Sequence, residues 1–146
     1  MKASELFTSE QVAAIEAAIA QAERKTSGEL RLYIEDHSED DVLDRAAFIF
    51  DKLEMNRTAQ RNGVLIYMAV KDHTFAILGD AGINAVVPVD FWENIKENMV
   101  VSFKKKGEFE QGLITGILAA GKALAEHFPP AADGGTNELA NDIIIG

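Results

Sequence analysis

A chain of 146 residues with 47% hydrophobic and 26% charged side chains is the size and composition of one globular domain, able to bury a core without covalent staples. It has no cysteine, which excludes disulfides, thiolate metal centres and thiol nucleophiles. Fourteen Lys+Arg against 24 Asp+Glu give a formal charge of −10, a surface that repels nucleic acid and anionic lipid and attracts cations.

The first eleven residues lack an apolar run behind their lysine, and no stretch approaches the ~18 apolar residues of a membrane span. Neither a signal peptide nor a membrane anchor is therefore expected, and the expected compartment is the cytoplasm. Thr8 with Gln11 three residues on forms a capping box, and Phe7 against Val12 forms a hydrophobic staple. The helix they open carries Val12, Ile15, Ile19 and Ala22 on one stripe and ends near Lys25, with Gly28 as an expected left-handed stop. Glu29 to Glu35 alternates strictly and predicts a strand, with Leu30, Leu32 and Ile34 facing inward and Glu29, Arg31, Tyr33 and Glu35 toward an edge or a site. His37 to Asp41 is an acidic loop, and Val42, Ala46, Ile49, Phe50 and Leu53 mark the buried stripe of a second helix.

Val64 to Val70 is an unbroken apolar run, Lys71-Asp72-His73 a short polar break, and Thr74 to Leu78 a second apolar run, together predicting a central hairpin. Strand, helix and strand over residues 29–70 form a right-handed crossover, so the strands at Glu29 and Val64 are parallel. Gly79-Asp80-Ala81-Gly82 is read as a loop bringing carbonyls and a carboxylate together, and Ile83 to Val89 as a connection broken by Pro88. Asp90 with Glu93 opens a helix through Ile95, Met99 and Phe103, which ends at Gly107 after the helix-end lysines Lys104 to Lys106. The last helix runs from Phe109 to Pro129-Pro130; its Gly112, Gly116 and Gly121 predict close packing against the sheet. The predicted fold is thus a single α/β domain over residues 1–129. Its mixed sheet, a parallel pair plus an antiparallel hairpin strand, is sandwiched between helices. Residues 130–146 form a tail whose Ile143-Ile144-Ile145 is expected to pair with a strand edge or pack in a groove, in this molecule or a neighbour.

Strand direction has a chemical consequence. Glu29 starts one parallel strand, Gly63 starts the other, and Gly79-Asp80 ends the antiparallel one, so all three belong at one rim of the sheet. Glu29, Asp80 and Asp90, with Glu93 close behind, then form a candidate site for a hard divalent cation, which takes carboxylate and carbonyl oxygens. Glu35, Asp36, His37, Asp40, Asp41, Asp72 and His73 gather at the opposite end, where a solvated acidic surface is the preferred reading over a zinc or manganese site. His127 is read as a partner of its helix's C-terminal dipole. There is no EF-hand loop, P-loop, G-x-S-x-G or H-E-x-x-H, and G-D-A-G-I-N lacks dinucleotide-binding spacing.

Thr26-Ser27-Gly28-Glu29-Leu30-Arg31, Arg61 to Tyr67, Phe75 to Gly82 and Phe91-Trp92 resemble the TPM domain, also called the repair-of-photosystem-II domain. The resemblance runs from Phe7 to Phe128. Asn137-Glu138-Leu139 and Ile143 to Gly146 are similar to the tails of stand-alone bacterial members. It implies a mixed sheet between helices, calcium binding among members, and a weak acid phosphatase activity associated with a plant thylakoid-lumen relative. Carried over by motif, it marks Glu29 and Asp80; Asp90 is added by topology. The expected function is a binding or scaffold domain for a divalent cation, calcium preferred. The alternatives are a weak metal-assisted phosphatase with Arg31 or Arg61 on the phosphate, or a protein-interaction module using Ile143 to Ile145 or Phe91-Trp92. The oligomeric state stays open.

Overall fold

Glu29–Glu35 (β1) and Gly63–Ala69 (β2) pair in parallel, from Glu29 opposite Gly63 to Glu35 opposite Ala69, with Val42–Lys52 (α2) crossing between them. Thr74–Gly79 (β3) returns antiparallel along β2, from Ala69 opposite Thr74 to Val64 opposite Gly79. The computed structural model describes residues 2–105, 108–130 and 143–146; Lys106, Gly107 and residues 131–142, with the helix stop and tail expectations that fall on them, lie outside. Ile143–Ile145 (β4) pairs in parallel with β1 of its own chain, Leu32 opposite Ile143, so the order is β3-β2-β1-β4.

The other α-helices of the described residues are Ser9–Glu23 (α1), Ala81–Asn84 (α3), Phe91–Phe103 (α4) and Phe109–His127 (α5), with short 3-10 turns at Ala3–Glu5 and Met55–Arg57. Alternation along the strands divides the core into two layers. Leu30, Leu32, Ile34, Val64, Ile66, Met68 and Ile77 pack with Ile15 and Ile19 of α1, Met99 of α4, and Leu113, Ile117 and Leu124 of α5. On the other face Tyr33, Leu65, Tyr67 and Ala76 pack with Ala46, Ile49 and Phe50 of α2 and with Met55. Each fully buried Leu or Ile contributes about 1.5–3 kcal/mol. The α2 face carries fewer of them, and the α2 layer is held in addition by a polar clamp described below. The predicted α/β sandwich with its parallel pair and hairpin strand is the observed one.

Several local expectations hold in detail. Thr8 caps α1, accepting from the Gln11 amide at 3.1 Å while the Gln11 side chain accepts from the Thr8 amide at 2.9 Å. Others change. Gly28 is not a left-handed stop, since α1 ends at Glu23; a Cβ on Gly28 would stand 2.8 Å from the end of the Leu124 side chain, so the turn lies close against α5. The α5 glycines pack against helices rather than the sheet, Gly112 under Phe103, Gly116 under Met99 and Gly121 against Ala22. The alternating polar face of β1 is not at an open edge. Tyr33 and Glu35 are buried on the α2 side of the sheet, and Glu29 is buried at the start of the strand beside Glu23 of α1.

Candidate functional site

Parallel pairing brings the start of β1 beside the start of β2, and the antiparallel return brings the end of β3 to the same place. The Glu29 amide donates to the Asn62 carbonyl at 3.3 Å, and the Asp80 amide donates to the Gly63 carbonyl at 2.9 Å. Glu29 and Asp80 therefore stand on one rim, either side of β2, with their backbones two strand spacings (roughly 10 Å) apart.

Asp80 sits at the junction of three elements. Its side chain is 6% exposed, and Arg61 forks onto it with Nε to Oδ2 at 2.7 Å and Nη2 to Oδ1 at 2.9 Å. The same Oδ1 accepts from the Ala81 amide at 2.8 Å, capping α3. The Gly79 to Gly82 stretch is thus not an open loop of free carbonyls: the aspartate starts a one-turn helix, and the Gly79 carbonyl accepts from the Asn84 side chain at 2.7 Å. Trp92 of α4 donates its indole N–H to that Asn84 at 2.7 Å, which seats the start of α4 on the end of β3. Gly82 donates its amide to the Arg61 carbonyl at 2.7 Å. Arg61 has φ 52, a left-handed backbone that turns its side chain into the rim, and this side chain is 50% exposed. Pairing with Asp80 raises the guanidinium above its ordinary range.

Glu29 is 3% exposed and is engaged elsewhere. The carboxyl of Glu23, the last residue of α1, hydrogen-bonds to it and accepts from the Leu30 amide at 2.8 Å. Burial, then the Glu29 carboxyl against it, push the Glu23 acid up to about 9, so at neutral pH Glu23 carries the proton that the pair shares. Arg31 lies close enough to oppose that rise. Asp90 occupies the N-cap position of α4 but makes no capping hydrogen bond, and it is exposed, as is Glu93. Among the described residues no group of three His, Cys, Asp or Glu is arranged to hold a metal ion. The rim offers one anchored carboxylate with neighbours, not a closed cage.

At the opposite end, the acidic cluster is only partly a solvated surface. Glu35 is 8% exposed and takes a two-pronged bond from Arg45 of α2, Nε to Oε2 at 2.8 Å and Nη2 to Oε1 at 3.0 Å, while the Tyr67 hydroxyl donates to the same Oε2. Burial would raise the Glu35 acid, but the Arg45 fork and the Tyr67 hydroxyl outweigh it and hold it below the ordinary range. This is the clamp that fixes α2 to the sheet. His37 Nδ1 lies 2.6 Å from Asp72, which also accepts from the Ser38 amide at 2.8 Å and is held below its ordinary range by that amide first and His37 second. Asp36 accepts from the Ala3 amide at 2.6 Å and ties down the segment before α1.

Pattern reading missed Glu23, which carries no motif and reaches β1 only because α1 ends beside it. The alternative phosphatase reading sets Arg31 or Arg61 on a phosphate; in the fold Arg61 closes on Asp80, a pairing that no motif along the chain marks.

The fold and rim can be set beside known proteins. No curated protein matches the chain. The NMR structure of the BA42 protein of the psychrophilic bacterium Bizionia argentinensis is similar over 99% of each chain, with 49% identity and a TM-score of 0.90. The N-terminal domain of a protein from P. gingivalis shares the fold at 17% identity and a TM-score of 0.70, over 88% of this chain and 84% of that one. The N-terminal domain of the cg2496 protein from Corynebacterium glutamicum does so at 9% identity and a TM-score of 0.63, over 82% and 74%. The family profile of the TPM domain matches residues 1–123, which takes in both rim carboxylates, Arg61 and the whole of α4. With that match and the BA42 likeness, the chain belongs to the TPM domain family.

Proposed function

We propose that this domain binds a divalent cation, calcium before magnesium, at the rim where β1 begins and β3 ends. Asp80 is the anchor, and Glu29 and Asp90 are flanking carboxylates. The observation that carries the reading is the pairing of Asp80. A carboxylate withdrawn from water needs a cation, and the one it has is a guanidinium on a half-exposed, movable arm. A divalent ion brings twice the charge to the same oxygens, in a molecule whose charge of −10 concentrates cations at its surface. With so few protein oxygens at hand, the ion keeps several of its waters. The proposed setting is the cytoplasm, and the proposed character is binding rather than turnover.

Titration of the full chain with calcium and then magnesium, followed through backbone amide resonances, is expected to move Asp80 to Asn84 in a saturable way and to raise the melting temperature by mass action. Asp80→Asn abolishes the response. Arg61→Gln, by removing the competing cation, tightens it several-fold. Spectra that stay unmoved at Asp80 to Asn84 in millimolar calcium would end the proposal.

The Arg61–Asp80 fork also favours a second reading, a weak metal-assisted phosphatase. With a cation held at Asp80, Arg61 would be free to hold a phosphate, and the ion would supply polarisation of its oxygens. Here Arg61→Gln has the opposite consequence, loss of metal-dependent hydrolysis of a generic phosphate ester despite tighter metal binding. Hydrolysis that survives Asp80→Asn belongs to a contaminant.

A further inference from the structure

At the end of the sheet remote from Asp80, a cleft of about 780 Å3 opens between the segment before α1, the β2–β3 turn, the last turn of α4 and the first turn of α5. Its volume is in the range of small-molecule sites, roughly 300–1,000 Å3. The walls are apolar, with Phe7, Met68, Phe75, Val100, Phe103 and Phe109 foremost. Phe103 meets the edge of Phe75 at 5.0 Å between ring centres and stacks on Phe109 at 5.1 Å, so the aromatic wall is braced from both sides. The lip has a different character. Lys71 and His73 stand on the turn side and Lys104 on the α4 side, all three exposed. Lys71 and Lys104 have no ion-pair partner among the described residues. One acid, Glu110, shares the lining, and Asp72 beside His73 is occupied by His37 and the Ser38 amide.

An apolar cavity with a basic collar, on a molecule of net charge −10, is complementary to one ligand chemistry: an apolar body ending in a negative head. We propose that the cleft binds a free, single-tailed amphipathic anion of the medium-chain carboxylate class, its tail along the Phe75–Phe103–Phe109 wall and its head between Lys71 and Lys104. Two cationic groups on opposite lips fix the head at the mouth, while neutral and cationic amphiphiles find no such partner. The acidic surface disfavours the same head group when it is embedded in an anionic bilayer, so the ligand is taken from solution. The site shares no residue with the Asp80 rim and does not depend on cation binding.

Decanoate below its micelle threshold is the probe, titrated into the full chain with backbone amides as the readout. Saturable shifts confined to residues 68–75, 100–104 and Phe109, with Asp80 to Asn84 unmoved, are expected. The double variant K71E/K104E changes only exposed lip positions and weakens decanoate by about tenfold. Val100→Trp fills the cleft and abolishes binding, and decyltrimethylammonium at equal concentration gives no saturable response. The proposal is overturned if decanoate shifts scatter over the surface or fail to saturate. Undiminished binding to K71E/K104E, equal binding of the cationic amphiphile, or co-sedimentation with anionic vesicles in place of decanoate binding would overturn it as well.

Discussion

The Glu23–Glu29 pair shows how one side chain changes the chemistry of another that the sequence points to. Two carboxyls cannot both ionise against each other out of water, and here the proton stays on Glu23. The folded acid, raised to about 9 from the ordinary 4.5, binds its proton more tightly than the unfolded chain does. Its contribution is therefore whole below pH 4.5 and is lost progressively as pH climbs to about 9. Glu23→Gln keeps a donor toward Glu29 and an acceptor for the Leu30 amide, with no proton to lose. Thermal melts of the two proteins should agree near pH 4 and separate as pH rises, with the variant the more stable at pH 8–9. The acid-side losses at Glu35 and Asp72, whose folded acids are held low, are common to both proteins and cancel in the difference. Parallel curves across this range would show that Glu23 does not hold the proton.

At the scale of elements, α3 is the piece that makes a rim out of strand ends. It is a single turn, too short to be stable by itself, and it persists because Asp80 caps it and Gly82 lets it lie on the chain at Arg61. A Cβ on Gly82 would meet the Gln60 carbonyl and stand 2.6 Å from that of Arg61, both main-chain groups that cannot rotate away. Gly82→Ala is expected to destabilise by about 1–3 kcal/mol, a fall in melting temperature of roughly 3–10 °C. The same displacement weakens the hold of Arg61 on Asp80. An unchanged melt would mean that the 60–62 segment yields freely. Helix α1 has a comparable junction role: Glu16 and Glu23, two turns apart, accept from the Ile143 amide at 3.1 Å and the Leu30 amide at 2.8 Å, satisfying donors along the open edge of the sheet.

For the whole molecule, that edge is the side of the sheet that the C-terminal strand closes. Among the described residues β4 covers β1 from Leu32 to Ile34, and the Gly146 amide donates to the Ile34 carbonyl at 2.7 Å. Removing Ile143 to Gly146 bares a hydrophobic strand that edge pairing between copies would cover. Size exclusion of the truncated chain is expected to show concentration-dependent association, with a lower melting temperature than the full chain. A truncated protein that runs and melts like the full chain would show that β4 adds nothing in solution.

What the sequence by itself determined is whatever depends on neighbours along the chain. The capping box at Thr8, the period-two pattern of β1, the hairpin around Lys71 to His73 and the crossover between β1 and β2 were all legible. From strand direction alone it followed that Glu29 and Asp80 share a rim. What only the tertiary structure decided is which group occupies which: Arg61 on Asp80, Glu23 on Glu29, Arg45 and Tyr67 on Glu35, α4 and α1 against the glycines of α5, and a cleft at the junction of α4, α5 and the hairpin. Periodicity fixes the direction of a side chain to within a face. Its partner is fixed by where two distant elements end in space, to within the reach of a hydrogen bond, and no repeat along the chain encodes that.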